Sequence, residues 1–167
     1  CYLRLGQPPQ AVRLLLTGDS SHFLIQANLA AAYFLSGEQD LAIRHQQFAL
    51  DRWPTVFAGW TDQQLQNYRE CERALLRVMQ GRAQEARVRS TAPADVDPVF
   101  PGLRFVSASG EYAAGELAPA MRDRLPTNAF PLVFQLCLWF PADMRLYWLL
   151  GEMLNALGQV DQADTIF

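Results

Sequence analysis

The chain has 167 residues, half of them hydrophobic, with a net charge of −3 and fourteen basic residues that are all Arg. An acidic balance with no basic stripe argues against nucleic acid or an anionic membrane surface as the main partner, and the apolar content excludes a disordered chain. No apolar run approaches the roughly 20 residues that span a bilayer, so a membrane span is not expected, and the length suits one domain or a short array of repeats.

Residues 2–6 (YLRLG) read as the end of a helix, and Gly6 is the first of several glycines followed five positions later by Ala. The pairs are Gly6/Ala11, Gly37/Ala42, Gly81/Ala86 and Gly158/Ala163, with Gly115/Ala120 on the same spacing. The glycines are separated by 31, 44, 34 and 43 residues, a period typical of helix-pair repeats. Gly supplies φ > 0 where a helix ends, and a small residue inside the next helix lets the two approach closely. The spacing therefore predicts bends between antiparallel helices at Gly6, Gly37, Gly81 and Gly158, with Ala42 and Ala163 as close-packing positions.

Between the first bends, Ile25, Leu29, Ala32 and Tyr33 recur at helical spacing, as do Leu41, His45, Phe48, Ala49 and Arg52 after Gly37. Asp40 and Arg44 are read as an i,i+4 ion pair. Pro54 ends that helix. Residues 67–90 read as a further helix pair bent at Gly81. Residues 90–103 hold Pro93, Pro98 and Pro101 and read as a loop. An irregular insertion is expected over 90–117. Within it, residues 103–114 suit a small β-hairpin around a Ser-Gly turn, the alternative being a degenerate repeat helix. A short helix follows over Pro119–Leu125, stopped by Pro126, then an apolar helix that Thr127 or Asn128 can cap and Pro141 ends. The last helix starts at Ala142 or Asp143 and stops at Gly158.

Three stretches resemble the tetratricopeptide repeat. In residues 23–56 the matching positions are Leu29, Ala30, Tyr33, Gly37, Ala42, Ala49 and Pro54, with Gln26 and Gln46 standing where that family favours aromatics. In residues 144–167 they are Tyr147, Leu150, Gly151, Leu154, Gly158, Ala163 and Phe167. Residues 67–90 match through Ala74, Gly81 and Ala86, with Arg73 and Arg77 at usually apolar places. The resemblance implies an all-α fold of antiparallel helix pairs stacked as a right-handed superhelix, a single domain over 1–167. The first helix of each pair would line a concave face. In that frame both ends of the chain fall inside a helix pair, so a fragment of a longer chain is expected.

Chemistry is sparse. Cys1, Cys71 and Cys137 lack CxxC spacing, so neither a zinc site nor a disulfide framework is expected, although a single bridge stays open. His22 reads as a residue near a helix start and His45 as a hydrogen-bonded core residue. Glu70 and Glu72 flank Cys71 and raise its pKa, the opposite of what a nucleophile needs. The acidic pairs Glu70/Glu72 and Asp95/Asp97 read as solvated. No catalytic, cofactor or metal motif is recognised. Carrying the family's groove positions over selects Phe34, Tyr68, Arg145, Trp148, Glu152 and Asn155 as peptide-contacting candidates. The family's carboxylate clamp uses Lys, which this chain lacks. The expected function is a non-catalytic protein–protein interaction or scaffold module, binding a peptide segment or a neighbouring domain through a concave helical face. The alternative is an accessory or sensory ligand-binding region of a larger enzyme or regulator. Oligomeric state and compartment stay open.

Overall fold

The computed structural model describes residues 2–88 and 96–167, and among the described residues all regular structure is helical, with no strand. The chain divides into two compact units, Cys1–Ser90 and Thr91–Phe167.

The first unit holds α1 (Pro8–Leu15), α2 (Phe23–Leu35), α3 (Gln39–Asp51) and α4 (Asp62–Val88). The starts of α2 and α4 and the end of α2 have local chemical causes. His22 caps α2 by accepting the Leu24 N–H on Nδ1 at 3.2 Å. Thr61 and Gln64 form a reciprocal capping box ahead of α4: the Thr61 Oγ1 accepts the Gln64 N–H at 3.2 Å, and the Gln64 Oε1 accepts the Thr61 N–H at 2.9 Å. α2 ends at Gly37, whose φ is +80°. There the Gly37 N–H donates to the Phe34 carbonyl and the Glu38 N–H to the Tyr33 carbonyl, the paired bonds of a Schellman motif. The same two bonds occur at Gly6, onto Leu3 and Tyr2.

The reversal at Gly37 makes α2 and α3 antiparallel. The Phe23 ring meets Trp53 at 4.8 Å across the far end of the pair, and Tyr33 stacks on His45 at 5.2 Å near the bend. Ala30, Ala42 and Ala49 are fully buried between helices, the expected use of a methyl where backbones approach. Gln26 and Gln46, which stand where the repeat pattern has aromatics, are buried too. A buried amide needs partners. The Gln26 amide donates to the Ser20 carbonyl at 2.6 Å and its Oε1 lies 2.6 Å from His45 Nδ1. Gln46 Nε2 reaches α4, donating to both the carbonyl and the carboxylate of Glu72.

Three expectations are corrected in this unit. Gly81 does not bend the chain: α4 runs unbroken through it for 27 residues, about 40 Å at 1.5 Å per residue. A mid-helix Gly costs roughly 1 kcal/mol relative to Ala, and the residues beyond it find partners on the α2–α3 bend. The Arg82 guanidinium lies over the Phe34 ring at 5.3 Å, Ala83 is buried, and Arg87 Nη2 pairs with Asp40 at 2.7 Å. Asp40 thus pairs with Arg87 rather than within its own helix. Glu72, read as solvated, is 8% exposed.

The second unit holds α5 (Pro119–Arg122), α6 (Ala129–Trp139), α7 (Met144–Ala156) and α8 (Val160–Asp164). Asn128 occupies the N-cap position of α6 without making a side-chain capping bond, whereas the Asp143 carboxylate caps α7 by accepting the Leu146 N–H at 3.3 Å. α7 packs against both α6 and α8. It closes at Gly158, φ +77°, with the Schellman bonds from Gly158 to Asn155 and from Gln159 to Leu154. Beyond the bend the chain runs back along α7. The Phe167 ring reaches Trp148, with centroids 6.2 Å apart, and lies where a Cβ on Gly151 would sit 2.5 Å from it. Ala163 is buried at this crossing.

Neither the hairpin nor the degenerate helix expected over 103–114 forms; residues 96–118 carry no helix or strand. The Ser-Gly turn is present, with Gly110 at φ +88° and the Ser107 N–H bonded to the Glu111 carbonyl at 2.8 Å. A ladder does not grow from it because the serines take over the local amides: Ser107 Oγ accepts from Ser109 N and Ser109 Oγ from Glu111 N. The next bond of this segment goes instead from Ala118 N–H to the Val106 carbonyl. The opening part of the expected loop, residues 90–95, lies outside the described residues.

Candidate docking cleft

Arg145, Trp148, Glu152 and Asn155 follow one another at three- and four-residue steps, which puts them on one face of α7. The irregular segment supplies the partners of that face. Arg145 Nη2 pairs with Asp97 Oδ1 at 2.9 Å, and Asn155 Nδ2 donates to the Tyr112 hydroxyl at 2.9 Å. Between the segment and the helix lies a cleft of about 620 Å³, with Phe100, Phe105, Tyr112, Trp148 and Leu149 among its lining. Its size is that of an ordinary ligand or side-chain pocket.

Two carboxylates line the cleft, and their surroundings differ. Asp97 is 3% exposed and held by the Arg145 guanidinium. Glu152 is 6% exposed; its Oε1 accepts the Trp148 indole N–H at 3.1 Å, and its buried Oε2 accepts no hydrogen bond. Burial pushes the Glu152 carboxyl above the usual carboxylate range, offset in part by Trp148 and Tyr112. Burial, then the Glu152 charge, raise the Tyr112 hydroxyl. Trp148 is 60% exposed and so remains at the rim, while its polar edge is fixed inward by Glu152.

The other two groove candidates sit elsewhere, in the first unit. Phe34 is buried under Arg82. Tyr68 packs on Trp60 with centroids 4.8 Å apart, as part of a ring cluster built on Phe23, Trp53 and Leu65. Asp97 and Tyr112 belong to the cleft although the sequence reading did not select them. The prolines around Asp97 suggest a solvated loop, and only its distant Arg partner explains its burial. Tyr112, an aromatic in a Gly- and Ala-rich stretch, was the available hint.

The remaining chemistry is quiet. His45 is held by Gln26 and stacked on Tyr33, and burial, then Arg44, lower its pKa. The Cys71 thiol is pushed up to about 12 by burial, with Glu72 and Glu70 adding to it, and burial pushes Cys137 up to about 11. Both are buried and free, and at neutral pH both are thiols rather than nucleophilic thiolates. Among the described residues no group of His, Cys, Asp and Glu is placed to hold a metal ion, and no helix is long and apolar enough to cross a membrane.

A family model described as a tetratricopeptide repeat matches the sequence over residues 144–167. The matched stretch spans α7, the Gly158 bend and α8, which is the helix pair carrying the cleft face. A repeat of this kind supports a protein–protein interaction module. No curated protein and no solved structure matched the chain.

Proposed function

We propose that the chain is a non-catalytic interaction module that docks a peptide segment, from another protein or a neighbouring domain, on the α7 face and its cleft. Trp148 carries the reading. A large aromatic that is 60% exposed, yet pinned by a hydrogen bond and flanked by Arg145 and Glu152, has the character of an interface anchor. It costs little to order on binding because Glu152 already holds it. In this reading Arg145, Trp148, Glu152 and Asn155 form the docking surface, while Phe34 and Tyr68 act as packing residues. A right-handed superhelix of antiparallel helix pairs, the arrangement the repeat resemblance implies, belongs to the same proposal. A second reading, a small-ligand site in an accessory region, draws support from the two carboxylates that line a mostly apolar cleft.

The test is selection from a random peptide library displayed on phage. Selected segments should bind the wild type and lose about tenfold or more in affinity on Trp148→Ala, as an anchor of this type does. Selected peptides indifferent to that substitution would refute the docking face.

A further inference from the structure

We propose that the cleft receives a lysine side chain of the docked segment, its alkyl stem along the aromatic lining and its ammonium on Glu152. This inference rests on the docking reading above and names the chemistry that reading leaves open.

Three observations converge on it. First, the cleft has two carboxylates but only one is neutralised by a cation in the structure: Asp97 has Arg145, whereas Glu152 has only neutral donors beside it, the Trp148 indole N–H on Oε1 and the Tyr112 hydroxyl close by, and its Oε2 has no well-formed hydrogen bond. A buried carboxylate oxygen without a donor is a strained arrangement that an incoming cation relieves. Second, one free oxygen suits an ammonium, which acts as a point charge. A guanidinium fork gains its advantage by engaging two oxygens, and Trp148 already holds one of them. Third, Phe100, Phe105, Tyr112 and Trp148 line the approach, and aromatic faces attract both methylenes and a partly desolvated cation.

Arg104 also lines the cleft but is exposed, so its charge is screened by solvent more than that of a group at the floor. Tyr112 is 56% exposed on the irregular segment, and it is the side chain that swings to admit the ammonium to Glu152.

The experiment follows the Trp148 indole N–H by two-dimensional NMR, since that proton sits on Glu152. End-capped pentapeptides with Ala on both sides of a central Lys, norleucine or Arg are titrated into the wild type, alongside free n-pentylamine. The Lys peptide should shift the signal saturably, with norleucine, which keeps the stem and loses the charge, about tenfold or more weaker. Glu152→Gln should erase that difference. The Lys-to-norleucine comparison on the wild type needs no variant, so it decides even if Glu152→Gln folds poorly. Equal titration by Lys and norleucine overturns the lysine assignment while leaving the docking face standing. An Arg peptide that binds as tightly as Lys overturns the choice of ammonium. Pentylamine binding as tightly as the Lys peptide overturns the peptide source in favour of a small amine. No response to any probe overturns lysine capture, and the docking face is then judged by the library selection alone.

Discussion

Replacing Glu72 by Gln isolates the energetics of a buried carboxyl. Glu72 lies inside the first unit, bonded to Gln46, and burial pushes its carboxyl up to about 7 from an ordinary value near 4.5. The folded state therefore holds a proton at Glu72 across this window while the unfolded chain releases it. Stability then falls as pH rises from about 4.5 to about 7 and levels off above, because protons bound preferentially to the native state are being removed. At about 1.4 kcal/mol per pH unit, the loss amounts to about 3 kcal/mol. In a domain of this size that is a shift of roughly 6–12 °C in melting temperature. Gln keeps the shape, removes the ionisation, and offers an amide N–H to Gln46 Oε1, which has no partner. Urea unfolding followed by circular dichroism, run from pH 5 to 8 on both proteins, reads the difference. The two should nearly agree at pH 5, and Glu72→Gln should be more stable by about 2–3 kcal/mol at pH 8. Parallel curves across the whole range would refute the reasoning, since every other titrating group is common to both.

Other perturbations test the bends and the docking face. Gly37→Val should lower stability by roughly 1–2 kcal/mol: no neighbour would meet the added Cβ, so strain at φ +80° alone is measured, and an unchanged melting temperature would sink the turn assignment. Gly81→Ala should do the opposite, raising stability by up to about 1 kcal/mol because α4 is continuous there; a fall comparable to that of Gly37→Val would contradict the unbroken helix. Trp148→Ala removes the donor on the buried Glu152 Oε1 and the ring contact with Phe167, so a modest loss of about 1 kcal/mol in unfolding free energy is expected, and a drop of about 4 kcal/mol or more would make Trp148 a core residue.

What could be read from the amino acids was whatever depends on a few neighbouring residues. Gly37 and Gly158 announce their bends because a positive φ is a property of the glycine itself, and Ala42 and Ala163 follow from the geometry of the bend; Gly6 has the positive φ, but residues 2–6 form a turn and not the expected helix end. Gly81 carries the same local signal and is silent. What separates it from the others is distant: Phe34 and Asp40, more than forty residues away, reward the helix for continuing. The cleft divides in the same way. The face of α7 was legible from helical spacing, whereas Asp97, Tyr112 and the depth of Glu152 depend on where an irregular segment comes to rest. The expected hairpin failed for a reason visible only afterwards, in the serine hydroxyls that bind the amides a ladder would have used.

The two described cysteines give each unit an internal timer. Cys71 lies in the first unit and Cys137 in the second, both shielded and both protonated near neutrality. A thiol-modifying reagent reaches either one only while its surroundings are transiently apart. With Cys1 changed to Ser, the labelling rate at each position counts how often that half of the molecule breathes, and the two rates can be compared in a single mass spectrum.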